Sequence, residues 1–196
     1  MKHLLITGFD PFGGETVNPS WEAVCRLPDA VGGYRLTKLQ IPTVFAAAAD
    51  AVLAAARADI PDVILCIGQA GGRDAVTPER VAVNMASASI PDNAGNRPVE
   101  APILPGGPDG IFATVPVAAM ARAITDSGLP GKISNTAGTF VCNDTLYRLL
   151  AHFDGTGTRV GFVHVPHLPD QAKNGSPGME LDATIVALTA AIGALG

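Results

Sequence analysis

Hydrophobic positions along this chain alternate between two repeat lengths, and the switching predicts strands and helices in turn. Leu4–Thr7 is a short apolar run halted by Gly8, which predicts a buried first strand. Asn18-Pro19-Ser20 supplies an N-cap followed by proline at the first helical position, and opens a helix through Trp21, Val24, Cys25 and Leu27. Tyr34–Ile41 alternates as a second strand, after which Thr43 is expected to cap an alanine-rich helix reaching about Ala58. Val63-Ile64-Leu65-Cys66-Ile67 is apolar throughout, the pattern of a strand covered on both faces of a parallel sheet. A further alternating strand is expected over Thr77–Asn84, then a helix over Val115–Thr125 and a short strand over Lys132–Ser134. Leu146, Leu149, Leu150 and Phe153 form one apolar stripe on a helix that begins near Cys142. Arg159–Val165 reads as the last core strand, and a closing helix occupies roughly Gly178–Ile192.

Strands interleaved with helices and short turns imply the α/β class: a three-layer α/β/α sandwich around a mainly parallel, twisted sheet. With 196 residues, the chain suits one domain spanning 1–196. Ile90–Gly110 breaks the pattern, being rich in proline and glycine without apolar period, and is expected to serve as a flap or subunit contact.

Charge and composition then narrow the function. A net charge of −5 and the absence of a Lys/Arg block argue against nucleic acid as a partner. The apolar start is too short for a signal peptide, and no stretch approaches the length of a membrane span. A cytoplasmic protein is expected, in which three cysteines stay as free thiols.

Thr136-Ala137-Gly138-Thr139-Phe140-Val141-Cys142-Asn143-Asp144 reads as a tight turn that delivers Cys142 to a helix head, where free N–H groups and the helix dipole favour a thiolate. Asp144 would oppose this if its carboxylate pointed at the sulfur. Cys66, within an apolar strand, and Cys25, in an amphipathic helix, read as inert thiols. A base for Cys142 has to come from the four histidines. His3 precedes the first strand, and His152 lies ~15 Å along the helix axis from Cys142. His164 ends a strand, where open sheets place their ligands, and is preferred over its rival His167. An acid to orient the imidazole could come from Glu79, Asp10 or Asp92; by itself Glu79 beside Arg80 reads as a solvated surface pair. The glycine-rich loop after the first strand lacks both Lys-Ser/Thr and the G-x-G-x-x-G spacing, so it gives little support to phosphate binding.

Six motifs in order carry a resemblance across nearly the whole chain: Gly8-Phe9-Asp10-Pro11-Phe12-Gly13-Gly14 with Asn18-Pro19-Ser20; Gly68-Gln69-Ala70-Gly71-Gly72-Arg73; Glu79-Arg80-Val81-Ala82-Val83-Asn84; Ile90-Pro91-Asp92-Asn93; Ala137 to Asn143; and Gly161-Phe162-Val163-His164-Val165-Pro166. Together they resemble the pyroglutamyl peptidase I, or pyrrolidone-carboxylate peptidase, family. The resemblance implies a cysteine peptidase that removes an N-terminal pyroglutamyl residue from peptides, without cofactor or metal. It assigns Cys142 as nucleophile, His164 as base and Glu79 as the acid that orients the imidazole, which overturns the surface reading of Glu79. It further implies that Phe9, Phe12 and Phe140 wall the lactam ring, that Ile90 and Val141 line it, and that the backbone near Gln69 takes the lactam N–H. A homo-oligomer, often a tetramer, is also implied. One position departs from the pattern: where the family carries an arginine before the Ile-Pro-Asp-Asn run, this chain has Ser89. That departure motivates the alternative of a catalytically impaired, lactam-binding homologue.

Overall fold

A computed structural model describes all residues, 1–196. Its strands are β1 (Lys2–Phe9), β2 (Ala30–Val31), β3 (Tyr34–Ile41), β4 (Val63–Gln69), β5 (Thr77–Pro78), β6 (Val81–Val83), β7 (Gly110–Phe112) and β8 (Arg159–Val165). The helices are α1 (Pro19–Arg26), α2 (Ala47–Ala58), α3 (Val117–Asp126), α4 (Val141–His152) and α5 (Leu181–Gly193), with one 3-10 turn at Pro169–Gln171.

Six strands form the main sheet in the order β2-β3-β1-β4-β8-β5. The central four run parallel, and the short edge strands β2 and β5 run antiparallel to their neighbours. Residue alternation divides the core into two layers. Leu4, Ile6, Val63, Leu65, Ile67, Val163 and Val165 face α1, α3 and α5, whereas Leu5, Ile64, Cys66, Val160 and Phe162 face α2 and α4. The expected three-layer α/β/α arrangement is therefore present, and β6 with β7 adds a separate antiparallel ribbon.

Gly8 is a glycine for want of room. A Cβ there would lie 2.6 Å from the Trp21 backbone, so α1 can pack onto β1 only over a bare backbone.

The structure departs from the sequence expectations in three places. Thr43 does not cap α2: the chain makes a further turn with Ala46 at φ 61, and the helix starts at Ala47. Its leading amides are held by distant carboxylates, Phe45 N–H by Asp92 (2.9 Å) and Ala46 N–H by Asp144 (2.8 Å). Thr77–Asn84 is not one strand but two pieces in different sheets. Pro78 lacks the N–H that a central ladder needs, and the chain leaves the sheet edge at Glu79 to pair with β7 instead. Lys132–Ser134 forms no regular strand; the segment 131–134 has only the isolated bridges Val76 to Gly131 and Glu79 to Ser134 as β-pairing.

No helix is long and apolar enough to cross a membrane.

Candidate active site

β8 and β4 present their carboxyl ends beneath the N-terminus of α4. Alternation puts His164 on the same face of β8 as Phe162, the face that α4 covers, and the two rings lie 4.8 Å apart. On β4 the equivalent position is Gly68. A Cβ there would lie 3.0 Å from Cys142 Sγ and 2.8 Å from the Phe162 ring, so the missing side chain is what admits the sulfur. Cys142 itself is the second residue of α4, as the sequence predicts, delivered by a turn with Gly138 at φ +77.

Glu79 reaches the same place from the sheet edge. Antiparallel pairing of Thr77 with His164 and of Pro78 with Val163 fixes the register, and Glu79 N–H donates to Phe162 O (2.9 Å). The fully buried Glu79 carboxylate thereby accepts a 2.7 Å hydrogen bond from His164 Nδ1 on its Oε1. This fixes the imidazole and leaves Nε2 as its remaining nitrogen. The other candidate acids are engaged elsewhere: Asp10 Oδ1 accepts from Thr43 N–H (2.6 Å) and Asn93 Nδ2 (3.2 Å), and Asp92 takes four hydrogen bonds from Phe45, Ala94 and Asn96. His167 packs its ring over Gly71, and His3 meets Thr37.

A cavity of about 280 Å³ opens over these groups, lined by Cys142, His164, Gln69, Phe9, Phe12 and Phe140 among others. The Phe12 and Phe140 rings are 6.0 Å apart, and Phe45 meets Phe140 edge-on at 5.3 Å. Gln69 Oε1 is buried in this region without a partner. Ile90 and Val141 lie outside the lining: Ile90 is 46% exposed, and Val141 is fully buried in the layer beneath. Asn93 Nδ2 also donates to Pro11 O (2.9 Å), so the loop that carries Phe12 is tied to the 92–93 turn. A larger hollow of about 590 Å³ near the C-terminal ends of α2 and α4, lined by Arg57 and His152, contains no such convergence of nucleophile, base and acid.

Comparison with known proteins decides the affiliation. The family model described as pyroglutamyl peptidase matches residues 2–196. The chain belongs to the pyroglutamyl peptidase family. Among its relatives, a pyrrolidone-carboxylate peptidase of Levilactobacillus brevis is 50% identical over 197 residues, covering 98% of this chain and 96% of the relative. One from Lactobacillus helveticus is 47% identical over 192 residues, covering 96% of each. Pyroglutamyl peptidase I of Bacillus amyloliquefaciens superposes with a TM-score of 0.96 at 45% identity, covering 100% of this chain and 97% of that one. The pyrrolidone carboxyl peptidase of Thermococcus litoralis gives 0.94 at 33% identity, over 100% and 93%.

In this member of the pyroglutamyl peptidase family the thiol is not lowered by its helix head. Burial, followed by the negative charge of Glu79 and by Cys66, pushes Cys142 up to about 12, with Arg73 pulling the other way. The residue borders the cavity, but protein packed around the sulfur removes the water that would solvate a thiolate. Asp144 has no part in this, since its carboxylate turns away to Ala46 N–H and to Arg148 Nε (2.9 Å). His164 is held below the ordinary imidazole range by burial, against the opposing hydrogen bond and charge of Glu79. Both directions favour a neutral thiol beside a neutral imidazole in the free site.

One neighbour of the site went unremarked in the sequence. Arg73, the last residue of the second glycine-rich motif, places Nη1 2.7 Å from Glu79 Oε1, and that nitrogen also donates to Thr77 Oγ1. Its Nη2 donates to Thr136 O (3.2 Å). The sequence shows only an arginine six residues before Glu79; that both ends meet follows from the turn through Gly72, at φ +80.

Proposed function

We propose that this protein hydrolyses the bond after an N-terminal pyroglutamyl residue of peptides, with Cys142 as nucleophile, His164 as base and Glu79 as the group that orients the imidazole. The observation that carries the reading is the 2.7 Å hydrogen bond from His164 to a buried Glu79 in the cavity that Cys142 borders. Family membership and the relatives named pyrrolidone-carboxylate peptidase supply the reaction class.

Because the resting thiol is neutral, deprotonation accompanies attack. His164 Nε2 takes the thiol proton while sulfur bonds to the pyroglutamyl carbonyl carbon, and the oxyanion that develops is met by the free N–H groups at the head of α4. Collapse breaks the C–N bond as Nε2 returns the proton to the departing amine. Water then adds to the thioester, giving its proton to Nε2, and the thiol leaves with that proton.

Pyroglutamate is a flat, uncharged lactam. Phe9, Phe12 and Phe140 suit its ring, and the unpartnered Gln69 Oε1 suits its N–H. An N-terminal proline keeps a ring N–H but lacks the lactam carbonyl, so a buried donor that meets this carbonyl would be left unsatisfied, at a cost of about 1–3 kcal/mol. Ile90 and Val141 take no part in this reading. Ser89 is exposed and lies outside the lining, so its identity does not argue for an impaired site.

The reading extends to a homo-oligomer in a reducing compartment such as the cytoplasm. Three free cysteines support the second point; Met85, Val99, Leu104 and Phe112, exposed on and beside the β6–β7 ribbon, support the first. Net charge −5 speaks against nucleic acid. The decisive experiment is release of a fluorogenic amine from a pyroglutamyl amide. Turnover by the wild type and none by Cys142→Ser is expected; full turnover by Cys142→Ser would reject the mechanism.

A further inference from the structure

The buried Glu79 carboxylate is shared unequally. Its Oε1 receives both His164 Nδ1 and Arg73 Nη1, each at 2.7 Å, whereas Oε2 is buried with no partner at all. Two cationic donors thus converge on one oxygen whenever the imidazole is protonated. Arg73 is 26% exposed, so it brings a fixed charge from the cavity edge to the interior. Its second nitrogen holds Thr136 O, at the start of the turn that delivers Cys142. One guanidinium therefore joins the acid to the segment carrying the nucleophile, a fork geometry that a lysine cannot reproduce.

We propose that Arg73 is a positioning residue of the reaction: through Glu79 it destabilises the protonated form of His164, so that the imidazolium made during attack is a strong acid towards the leaving amine. This rests on the assignment of Cys142, His164 and Glu79 given above. The charged and titratable groups that bear on the imidazole are Glu79, which favours its protonation, and Arg73, which opposes it; on the sulfur they are Glu79, Cys66 and Arg73. Among the charged groups, Arg73 is the one that acts with burial against imidazolium, and it also favours thiolate at Cys142. Without it, only burial would oppose the stabilisation of a protonated His164 by Glu79. The proton would then be held on the ring rather than handed on to the amine nitrogen as the C–N bond breaks.

The test is the pH dependence of kcat/KM on a pyroglutamyl anilide for wild type, Arg73→Met, Arg73→Gln and Arg73→Lys, with folding checked by circular dichroism. Removing the positive charge raises the imidazole pKa, so the acid limb should move to higher pH by about one unit in the two neutral variants. Arg73→Lys keeps the charge but loses the fork, so its acid limb should stay within about 0.3 unit of wild type while kcat falls several-fold. A clamp that merely holds the loop would lower activity in all three variants without moving the limb, and that result overturns the proposal. An equal shift in Arg73→Lys and Arg73→Met does so too, as does failure of both neutral variants to fold. Cys142→Ser separates the two levels: if it retains turnover the parent mechanism falls, whereas an inactive Cys142→Ser with an unmoved limb in Arg73→Met removes only the role of Arg73.

Discussion

Glu79 and His164, 85 residues apart in sequence, meet through a 2.7 Å hydrogen bond in which both side chains are buried. His164→Ala should abolish hydrolysis of a pyroglutamyl amide. Glu79→Gln should lower kcat by roughly 10²–10⁴, because the ring loses its orienting charge but sulfur remains. His167→Ala, whose ring only packs over Gly71, should keep activity within a few-fold of wild type. Steady-state kinetics decide this, and the opposite ranking of the two histidines would reassign the base.

Reactivity of the thiol provides a second check. With Cys142 pushed up to about 12 by burial, Glu79 and Cys66, its alkylation by iodoacetamide should be slow at pH 7. The rate should climb about tenfold per pH unit through at least pH 10. The acid limb of kcat/KM should fall below the ordinary histidine value of 6.5, since burial holds His164 down. A fast, pH-independent alkylation near neutrality would instead indicate a preformed thiolate and imidazolium.

Stability should follow the same groups with opposite signs at the two ends of the scale. Cys66 and Cys142 both sit at about 12 when folded against an ordinary value of 9.0. Their contribution is complete below about pH 9 and lost as pH rises towards 12. His164 is depressed, so its contribution is present above about 6.5 and lost as pH falls through its folded value. Urea midpoints measured from pH 5 to 11 should therefore peak between about 6.5 and 9; a midpoint still increasing at pH 10.5 would contradict the burial of these thiols.

Gly68→Ala tests the space that admits sulfur. A methyl placed 2.8 Å from the Phe162 ring and 3.0 Å from Cys142 Sγ must displace one of them. A loss of kcat of at least about 10² is expected for an ångström-scale misplacement, with a destabilisation of about 1–3 kcal/mol from overpacking. Kinetics paired with chemical denaturation would separate the two effects.

Asp144→Ala should destabilise by about 2–3 kcal/mol, since it strands the Ala46 N–H that the carboxylate holds across 98 residues and removes the partner of Arg148. Asp144→Asn should recover part of this loss by keeping an acceptor for the amide. Thermal melts of both variants measure the difference.

What could be read from the sequence was whatever local periodicity or a local cap determines. Tyr34–Ile41 and Arg159–Val165 form strands with the bounds their alternation and apolar run predict, and Asn18 caps α1 through Ser20 N–H as its side chain suggests. Thr43 misled because the amides ahead of α2 are satisfied by Asp92 and Asp144, far along the chain. Thr77–Asn84 alternates in sequence, yet its two halves pair with different strands, a decision made by β8 and β7. The thiol follows the same logic: a helix head is local, but burial and the Glu79 charge come from the sheet edge and outweigh it. Glu79 itself looks like half of a surface pair until the fold carries it inward. The residues alone left it level with Asp10 and Asp92 as a candidate acid, and the family resemblance, drawn from six motifs at once, singled it out.

The tie from Asn93 to Asp10 and Pro11, with Asp10 also fastened to Thr43, leaves the wall bearing Phe12 little freedom to rearrange. A rigid five-membered ring meeting so firmly braced a receptacle surrenders almost no configurational entropy on entry, and neither does the receptacle. Arrival of substrate should then be governed by diffusion into the cavity rather than by the ordering of a lid.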